Sequence, residues 1–313
     1  MITYIRGDIF TSPATVLVNT VNTAGVMGKG IAKDFKAYFP EMFRNYQEAC
    51  ETGELRIGTL QFFRTPHKSV LNFPTKRHWR QKSRVEDIER GLQTFVARYS
   101  DFSISSVAFP QLGCGNGELD WETHVRPLME KYLSPLPIDV YIHLYDAGTS
   151  FIEHRNPDEM KRWLRSEPES LPFTEFWDDV QNLVTRATNE HPGENWTIET
   201  VESGEDEVAI VFGDGMDRDV QTTTDLRQVW QQLRSFGLVS DEDLGSASSV
   251  GSRAFLRLLT GLDYIETTSF VTIRNGDLDF EMDDAHGFVA GIRLIPRPSL
   301  EPRTNQLELI GIS

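Results

Sequence analysis

Apolar and polar positions alternate in two different rhythms along the first 145 residues. Val16-Leu17-Val18 is a continuous apolar triplet, as in a strand covered on both faces. Residues 28–38 read as a helix opened by Gly28 and Gly30, with Ile31, Phe35 and Tyr38 on one face. Pro40 restarts a helix through about Cys50, with Met42, Phe43 and Tyr46 turned inward. Val70-Leu71-Asn72-Phe73 is a second strand, which Pro74 is expected to stop. Val85, Ile88, Leu92, Phe95, Val96 and Tyr99 recur at helical spacing over 84–99. Ser106-Val107-Ala108-Phe109 is a strand ending at Pro110. A helix follows over 121–133, then a strand over 140–144. Strands alternating with helices predict a layered α/β domain with a mostly parallel sheet. Ligands of such sheets sit at the carboxyl ends of strands. The loops at 22–30, 74–84 and 111–120 are therefore the informative ones.

After about residue 147 the rhythm changes. The stretch 151–171, with Pro157, Pro168 and Pro172 among or just after many charges, reads as a short helix plus a linker. Phe173, Phe176, Trp177, Val180, Leu183 and Val184 mark one face of a further helix. Residues 196–201 and 208–212 look like strands. Leu226, Val229, Trp230, Leu233 and Phe236 mark another helix, and Phe255, Leu256 and Leu259 a third. Residues 264–268 and 270–273 look like a hairpin. Helix, short helix, helix and hairpin across 224–275 are compatible with a winged-helix arrangement. The organisation expected is thus an α/β domain over 1–150, a linker over 151–171 and an α+β domain over 172–313.

Composition sharpens this division. The 313 residues carry a net charge of −16, and 39% are hydrophobic, which excludes wholesale disorder. Residues 1–150 hold 17 Lys and Arg against 16 Asp and Glu; residues 151–313 hold 14 against 31. The first part is near neutral and the second carries −17. Repulsion from phosphate therefore disfavours nucleic acid as a partner only for the second part. No run approaches the roughly 18 apolar residues that cross a bilayer, and no signal peptide is visible, so a cytoplasmic location without membrane contact is expected. Cys50 and Cys114 are too few for a disulfide framework or a Cys-based metal site, so no metal is expected.

Three constellations could carry chemistry. Asn19, Asn22 and the run Gly25-Val26-Met27-Gly28-Lys29-Gly30-Ile31-Ala32 form a strand, a glycine-rich loop and a helix start. Glycines let the backbone approach a ligand, and helix-start N–H groups favour an anion. The spacing matches neither a dinucleotide fingerprint nor a Walker A loop. A second glycine-rich loop, Gln111-Leu112-Gly113-Cys114-Gly115-Asn116-Gly117, also joins a strand to a helix. Two such loops facing each other can clamp a diphosphate with backbone N–H groups alone. Cys114 reads as a small loop-filling residue rather than a nucleophile, since no partnering His lies nearby. The third is the basic stretch Lys76, Arg77, Arg80, Lys82 and Arg84, interrupted by Trp79. Cations that neutralise phosphate and a ring that stacks on a base suit single-stranded nucleic acid.

Together with Ile5-Arg6-Gly7-Asp8, these loops resemble a macrodomain, the three-layer α/β/α ADP-ribose-binding fold with a mixed, mostly parallel sheet. Residues 72–80 and Leu119-Asp120-Trp121-Glu122 narrow the resemblance to the DarG family. Its members are DNA ADP-ribosyl glycohydrolase antitoxins of toxin–antitoxin systems. The resemblance covers about 1–146 and implies an ADP-ribosyl glycohydrolase that removes ADP-ribose from a DNA base, with thymidine as the expected nucleoside and no cofactor. It implies that Asp8 and Ile9 meet the adenine end and Asn22 the distal ribose. Gly28, Gly30 and Ile31 would line one phosphate loop, and Gly113, Cys114, Gly115, Asn116 and Gly117 the other. Lys76 would be the catalytic residue, attacking or polarising the anomeric carbon. Arg77, Trp79, Arg80 and Lys82 would hold DNA. The implied partners are ADP-ribosylated single-stranded DNA, the ADP-ribose product and a DarT-type toxin.

In the lysine-using macrodomains an aspartate follows Gly-Cys-Gly, but here Asn116 and Gly117 stand there, with Glu118 and Asp120 the nearest acids. Asp120 is also placed to cap the helix at Trp121. Two rival functions remain: a reader that binds ADP-ribose without hydrolysing it, and a hydrolase of ADP-ribosylated protein carboxylates. In the second part, Asp277, Asp279, Glu281 and Asp283 alternate with Leu278, Phe280 and Met282. In a strand these carboxylates would share one face, roughly 6.6–6.8 Å apart. Such a domain is expected to occupy the basic DNA groove of a toxin as a DNA mimic.

Overall fold

In the computed structural model, described residues are 1–145, 153–190, 196–202, 206–213, 218–240, 243–244, 249–270 and 289–295. The chain divides into two units, Met1–Leu164 and Arg165–Ser313. The apolar run beginning at Val16 lengthens into the central strand of the first unit. That unit's strands are β1 (Ile2–Arg6), β2 (Val16–Asn22), β3 (Gln61–Phe63), β4 (Ser69–Lys76), β5 (Ser106–Pro110) and β6 (Asp139–Leu144), in spatial order β1-β6-β5-β2-β4-β3. All pairings are parallel except β3 with β4. The carboxyl ends of β5, β2 and β4 therefore lie side by side, and with them the three loops singled out above.

Alternation along the strands decides which layer each side chain meets. Val16, Val18, Leu71, Phe73, Val107 and Phe109 face one way, onto Ile88, Leu92 and Phe95 of α3 (Val85–Arg98) and Met129 and Leu133 of α4 (Arg126–Leu133). Leu17, Val21, Val70 and Ala108 face the other way, onto Phe35 of α1 (Gly30–Tyr38) and Met42, Phe43 and Tyr46 of α2 (Pro40–Glu51). This is a three-layer α/β/α architecture with a mixed, mostly parallel sheet. A polar row crosses the sheet where β2, β4 and β3 align. Asn19 Nδ2 donates to Asn72 Oδ1 at 2.9 Å, and Asn72 Nδ2 to Gln61 Oε1 at 2.9 Å.

Two details differ from the sequence expectation. Pro74 does not stop its strand: β4 continues to Lys76, with Val21 opposite Pro74 and a register shift before Asn22. The reason lies at the outer edge. β3 reaches only as far along β4 as Asn72, so no β3 residue stands opposite Pro74 to need its missing N–H. Tyr38, expected inward, is 66% exposed at the end of α1.

The stretch expected as a linker is partly built into the first unit. A 3₁₀ turn (Glu153–Arg155) leads into α5 (Pro157–Arg165), whose Met160 and Leu164 are buried. The second unit begins with α6 (Phe173–Glu190), followed by β7 (Trp196–Glu202), β8 (Asp206–Phe212) and β9 (Asp219–Thr222) in one antiparallel sheet. Next come α7 (Thr223–Phe236), β10 (Leu238–Ser240), α8 (Ser249–Leu259), β11 (Ile265–Phe270) and β12 (Val289–Leu294). α7 is bounded by a capping box between Thr222 and Asp225 and by Gly237 in the left-handed region. Trp230 stacks on Phe176 with centroids 4.3 Å apart and donates to the Leu171 carbonyl at 3.0 Å. Phe236, expected on the inner face of α7, is 77% exposed.

The expected hairpin is corrected. Residues 265–270 form one strand, so Phe270 belongs to the first strand and not to a second, and this strand pairs with β12 from Ile265 opposite Leu294 to Phe270 opposite Val289; residues 271–273 lie outside the described residues. The alternating carboxylates at 277–283 lie outside the described residues. Among the described residues no helix is long and apolar enough to cross a membrane.

Gly91 tests how tightly the α3 layer is packed. A Cβ there would stand 2.2 Å from Phe73 Cζ, and Phe73 is fully buried. Gly91→Ala gains about 1 kcal/mol of helix propensity but forces a rigid ring to move, which costs about 1–3 kcal/mol. A lowered Tm is expected in thermal unfolding; a raised Tm would mean the interface is loose.

Candidate active site

The site is assembled at the joined ends of β5, β2 and β4. Asn22, the last residue of β2, shapes the first glycine loop. Its Nδ2 donates to the Val26 carbonyl at 2.7 Å, and its Oδ1 accepts from the N–H groups of Ala24 at 3.0 Å and Val26 at 3.3 Å. Tyr46 Oη donates to the Asn22 carbonyl at 2.8 Å from below. The side chain expected on a ribose is thus engaged with its own loop. α1 starts at Gly30, at φ 59°, and no side-chain hydrogen bond caps it. Its first N–H groups keep the polarity that suits an anion.

The second loop faces the first. A Cβ added to Gly30 would stand 3.1 Å from Asn116 Nδ2. Gly113 sits at φ 71°, and a Cβ on Gly117 would meet the Gly113 carbonyl at 2.3 Å and Ser83 Oγ at 2.2 Å. Only hydrogen fits there. The Ser83 N–H donates to the Gly117 carbonyl at 3.1 Å, which ties the basic loop to the second glycine loop. Asp8, at the other end of the expected cleft, is exposed and caps a 3₁₀ turn through Phe10 N–H. Ile9 is buried in the core, so only its backbone can meet a ligand. Ile31 is half-buried and Gly115 is exposed with open space around it.

Lys76 ends β4, opposite Asn22 at the end of β2. Its side chain is 7% exposed, and its Nζ lies 3.5 Å from Glu153 Oε2, itself 7% exposed. Nζ makes no hydrogen bond among the described residues, and neither does the buried Oδ1 of Asn116. Burial pushes the Lys76 ammonium below its ordinary range, against the pull of Glu153 and Glu118. Burial likewise raises Glu153, against Lys76 and Lys29. In both groups desolvation outweighs the mutual attraction, as is common for a buried pair.

The basic loop differs most from expectation. The Trp79 ring is 0% exposed and lies under the Arg80 guanidinium, 4.7 Å from the ring centroid, so it offers no stacking face to a base. A large apolar ring is worth more in the core than in water. Arg77 pairs with buried Asp87 at 3.2 Å, and Lys82, 63% exposed, pairs with Glu118 at 2.7 Å. The loop is therefore less positive than its composition suggests, although Arg77 and Lys82 remain at the surface. Glu118 also meets His154 Nε2 at 3.0 Å and the Arg155 guanidinium. The Lys82 hydrogen bond, with His154 and Arg155, holds its carboxyl below the usual range. Asp120 caps the following turn by accepting from Thr123 N–H at 2.7 Å.

Sequence reasoning missed Glu153, Met160 and Trp163. Met160 and Trp163 pack so closely on Gly28 that a Cβ there would stand 2.4 and 2.6 Å from them. Met160, Trp163 and Leu164 stand at i, i+3, i+4, the one signal that α5 buries a face. Among the described residues no group of three His, Cys, Asp or Glu is placed to hold a metal ion.

Residues 18–127 match the Macro domain family. The chain is 43% identical over 157 residues to a DNA ADP-ribosyl glycohydrolase of Mycobacterium tuberculosis, covering 49% of this chain and 45% of that one. It is 39% identical over 173 residues to a DNA ADP-ribosyl transferase–DNA ADP-ribosyl glycohydrolase fusion protein of Thermosipho africanus, covering 49% and 43%. The chain thus spans less than half the length of these relatives. The solved macrodomain of Mycobacterium tuberculosis DarG is 44% identical, with 47% of this chain and 99% of that one covered and a TM-score of 0.45.

Burial raises the thiols of Cys50 and Cys114 to about 12, which leaves both almost wholly protonated near neutral pH. At pH 8 their reaction with a disulfide reagent such as DTNB is expected to run about 10³-fold slower in the folded chain than after denaturation. Rapid labelling of Cys114 in the folded chain would restore it as a candidate nucleophile.

Proposed function

From the match of residues 18–127 to the Macro domain family and the similarity of the first unit to DarG-type DNA ADP-ribosyl glycohydrolases, we propose that this chain releases ADP-ribose from a modified DNA base. The observation that carries this reading is Lys76: a buried lysine at the end of β4, opposite the residue that shapes the first glycine loop, whose Nζ donates no hydrogen bond among the described residues. A protein that only reads ADP-ribose needs the two loops but has no use for a desolvated lysine. The same lysine would serve removal from a protein carboxylate, and the surface cations Arg77 and Lys82 beside it favour DNA.

The two loops would cradle the diphosphate through backbone N–H groups, with Asp8 at the adenine end. The distal ribose would then lie against Lys76. Departure of the base from the anomeric carbon builds positive charge on that carbon. Lys76, as the neutral amine that burial favours, can attack it as the base departs with the bonding electrons, and water then displaces the lysine nitrogen from that carbon to release ADP-ribose. Arg77, Arg80 and Lys82 would hold the flanking single strand, and the bond cleaved would be N-glycosidic, with thymidine as the nucleoside and no metal required. Trp79 has no part in this, being buried.

The second part of the chain, at −17, would bind and neutralise a DarT-type toxin by occupying its basic DNA groove. That one relative joins a DNA ADP-ribosyl transferase and a glycohydrolase in one chain supports pairing the two activities. A cytoplasmic location suits both.

Lys76→Ala is expected to lower release of ADP-ribose from a modified single-stranded oligonucleotide by about 10²-fold or more, with ADP-ribose still bound in calorimetry. Equal release by both proteins would remove Lys76 from the reaction. A DarT-type toxin is expected to co-purify with the full chain at low salt and to be released as ionic strength rises. Failure to co-purify at low salt would end the acidic-partner reading.

A further inference from the structure

Glu153 belongs to neither glycine loop nor the matched residues 18–127, yet it is the side chain that meets Lys76. Two anchors fix it there. On one side, His154 Nε2 and the Arg155 guanidinium grip Glu118, which follows the second glycine loop. On the other, the 3₁₀ turn runs straight into α5, with Asn156 N–H donating to the Glu153 carbonyl at 3.1 Å and Met160 N–H to the Asn156 carbonyl at 3.1 Å. Met160 and Trp163 then lock α5 onto Gly28 of the first loop. One short segment therefore joins both ligand loops to the end of β4 and sets a carboxylate 3.5 Å from the lysine nitrogen.

Asp120 and Glu118 are both occupied, the first as a helix cap and the second by Lys82, His154 and Arg155. Neither can serve Lys76 as a proton acceptor. Glu153 is placed to do so: its carboxylate lies 3.5 Å from the lysine nitrogen.

We infer that Glu153 is the positioning residue of Lys76: it holds the nitrogen at the end of β4 and takes its proton when the neutral amine is required. The inference rests on the reading of Lys76 given above. In this step one proton passes from Nζ to Glu153 Oε2. The lysine lone pair is freed, the carboxylate becomes a carboxylic acid, and no bond to carbon changes. Burial draws the two groups together in acidity, lowering the lysine and raising the glutamate, which brings the exchange closer to balance. Other charged or titratable groups bear on the pair. Lys29, at the start of α1, favours the Glu153 carboxylate, and Glu118 favours the Lys76 ammonium. Tyr46 of α2 is kept neutral by a pKa raised well above its usual value.

The test uses the full chain and a single-stranded oligonucleotide carrying ADP-ribose, with kcat and KM followed across pH. Wild type is compared with Glu153→Gln, Glu153→Asp and Lys76→Ala, and ADP-ribose binding and Tm are measured alongside. Glu153→Gln is expected to lower the plateau kcat about tenfold or more, with KM and the ADP-ribose Kd changed less than about twofold. Without the carboxylate that favours the ammonium, the limb reporting Lys76 moves to lower pH. Glu153→Asp regains part of the plateau and returns the limb toward its wild-type position. Should Glu153→Gln fail to fold, Glu153→Asp reads the same limb with the charge withdrawn by one methylene. A wild-type plateau and limb in Glu153→Gln overturns the inference while leaving Lys76 in place. So does tighter ADP-ribose binding with faster turnover, which would make Glu153 an occupant that excludes substrate. If Lys76→Ala releases ADP-ribose as fast as wild type, the reading of Lys76 fails and the inference with it.

Discussion

An ammonium group taken out of water at the end of a buried strand demands compensation, and the active end of this fold is organised around that demand. Lys76 reaches its position because β4 runs on through Pro74, between β2 and the short β3. Desolvating an ion costs several kcal/mol even after relaxation, so a counter-charge in contact is the normal response. Here it comes from Glu153, on a segment remote in sequence. The compensation is incomplete: burial still lowers the lysine and raises the glutamate from their ordinary ranges.

The surroundings follow from the sheet order. With β5, β2 and β4 adjacent and parallel, the loops leaving them are brought together: Gly30 of the first faces Asn116 of the second, and Gly117 has no room for a side chain beside Ser83 of the basic loop. Ion pairs then stitch the periphery. Glu118 gathers Lys82, His154 and Arg155, and Asp87 holds Arg77. These pairs lower the positive field of the basic loop while leaving Arg77 and Lys82 exposed. A strand of nucleic acid approaching this face would therefore meet cations whose charge is partly answered from within, which favours modest, salt-sensitive contact over tight non-specific binding.

Periodicity was a good guide where burial is local. The helical spacing of Ile88, Leu92 and Phe95, and the apolar run starting at Val16, marked elements that the tertiary structure keeps, because the helix buries one continuous face on the sheet and the strand is covered by a layer on each side. It failed where the environment is supplied by distant chain. Pro74 reads as a strand terminator until the short reach of β3 is known. Trp79 reads as an exposed stacking platform because charges surround it in sequence, yet its ring is in the core. Residues 265–270 read as half of a tight hairpin, while their partner strand lies about twenty residues further on.

By itself the sequence determined the alternation of strand and helix, the two glycine loops, the lysine between them and the division into a near-neutral and an acidic part. These are properties of residue type and spacing, and they survive any arrangement that buries the apolar faces. Only the tertiary structure decided which charges neutralise one another and which ring is hidden. It alone showed that Glu153, on a stretch resembling a linker, stands against Lys76. Coulomb attraction and desolvation act over a few ångströms in space, and nothing in residue order records that a glutamate 77 positions away will be one of those neighbours.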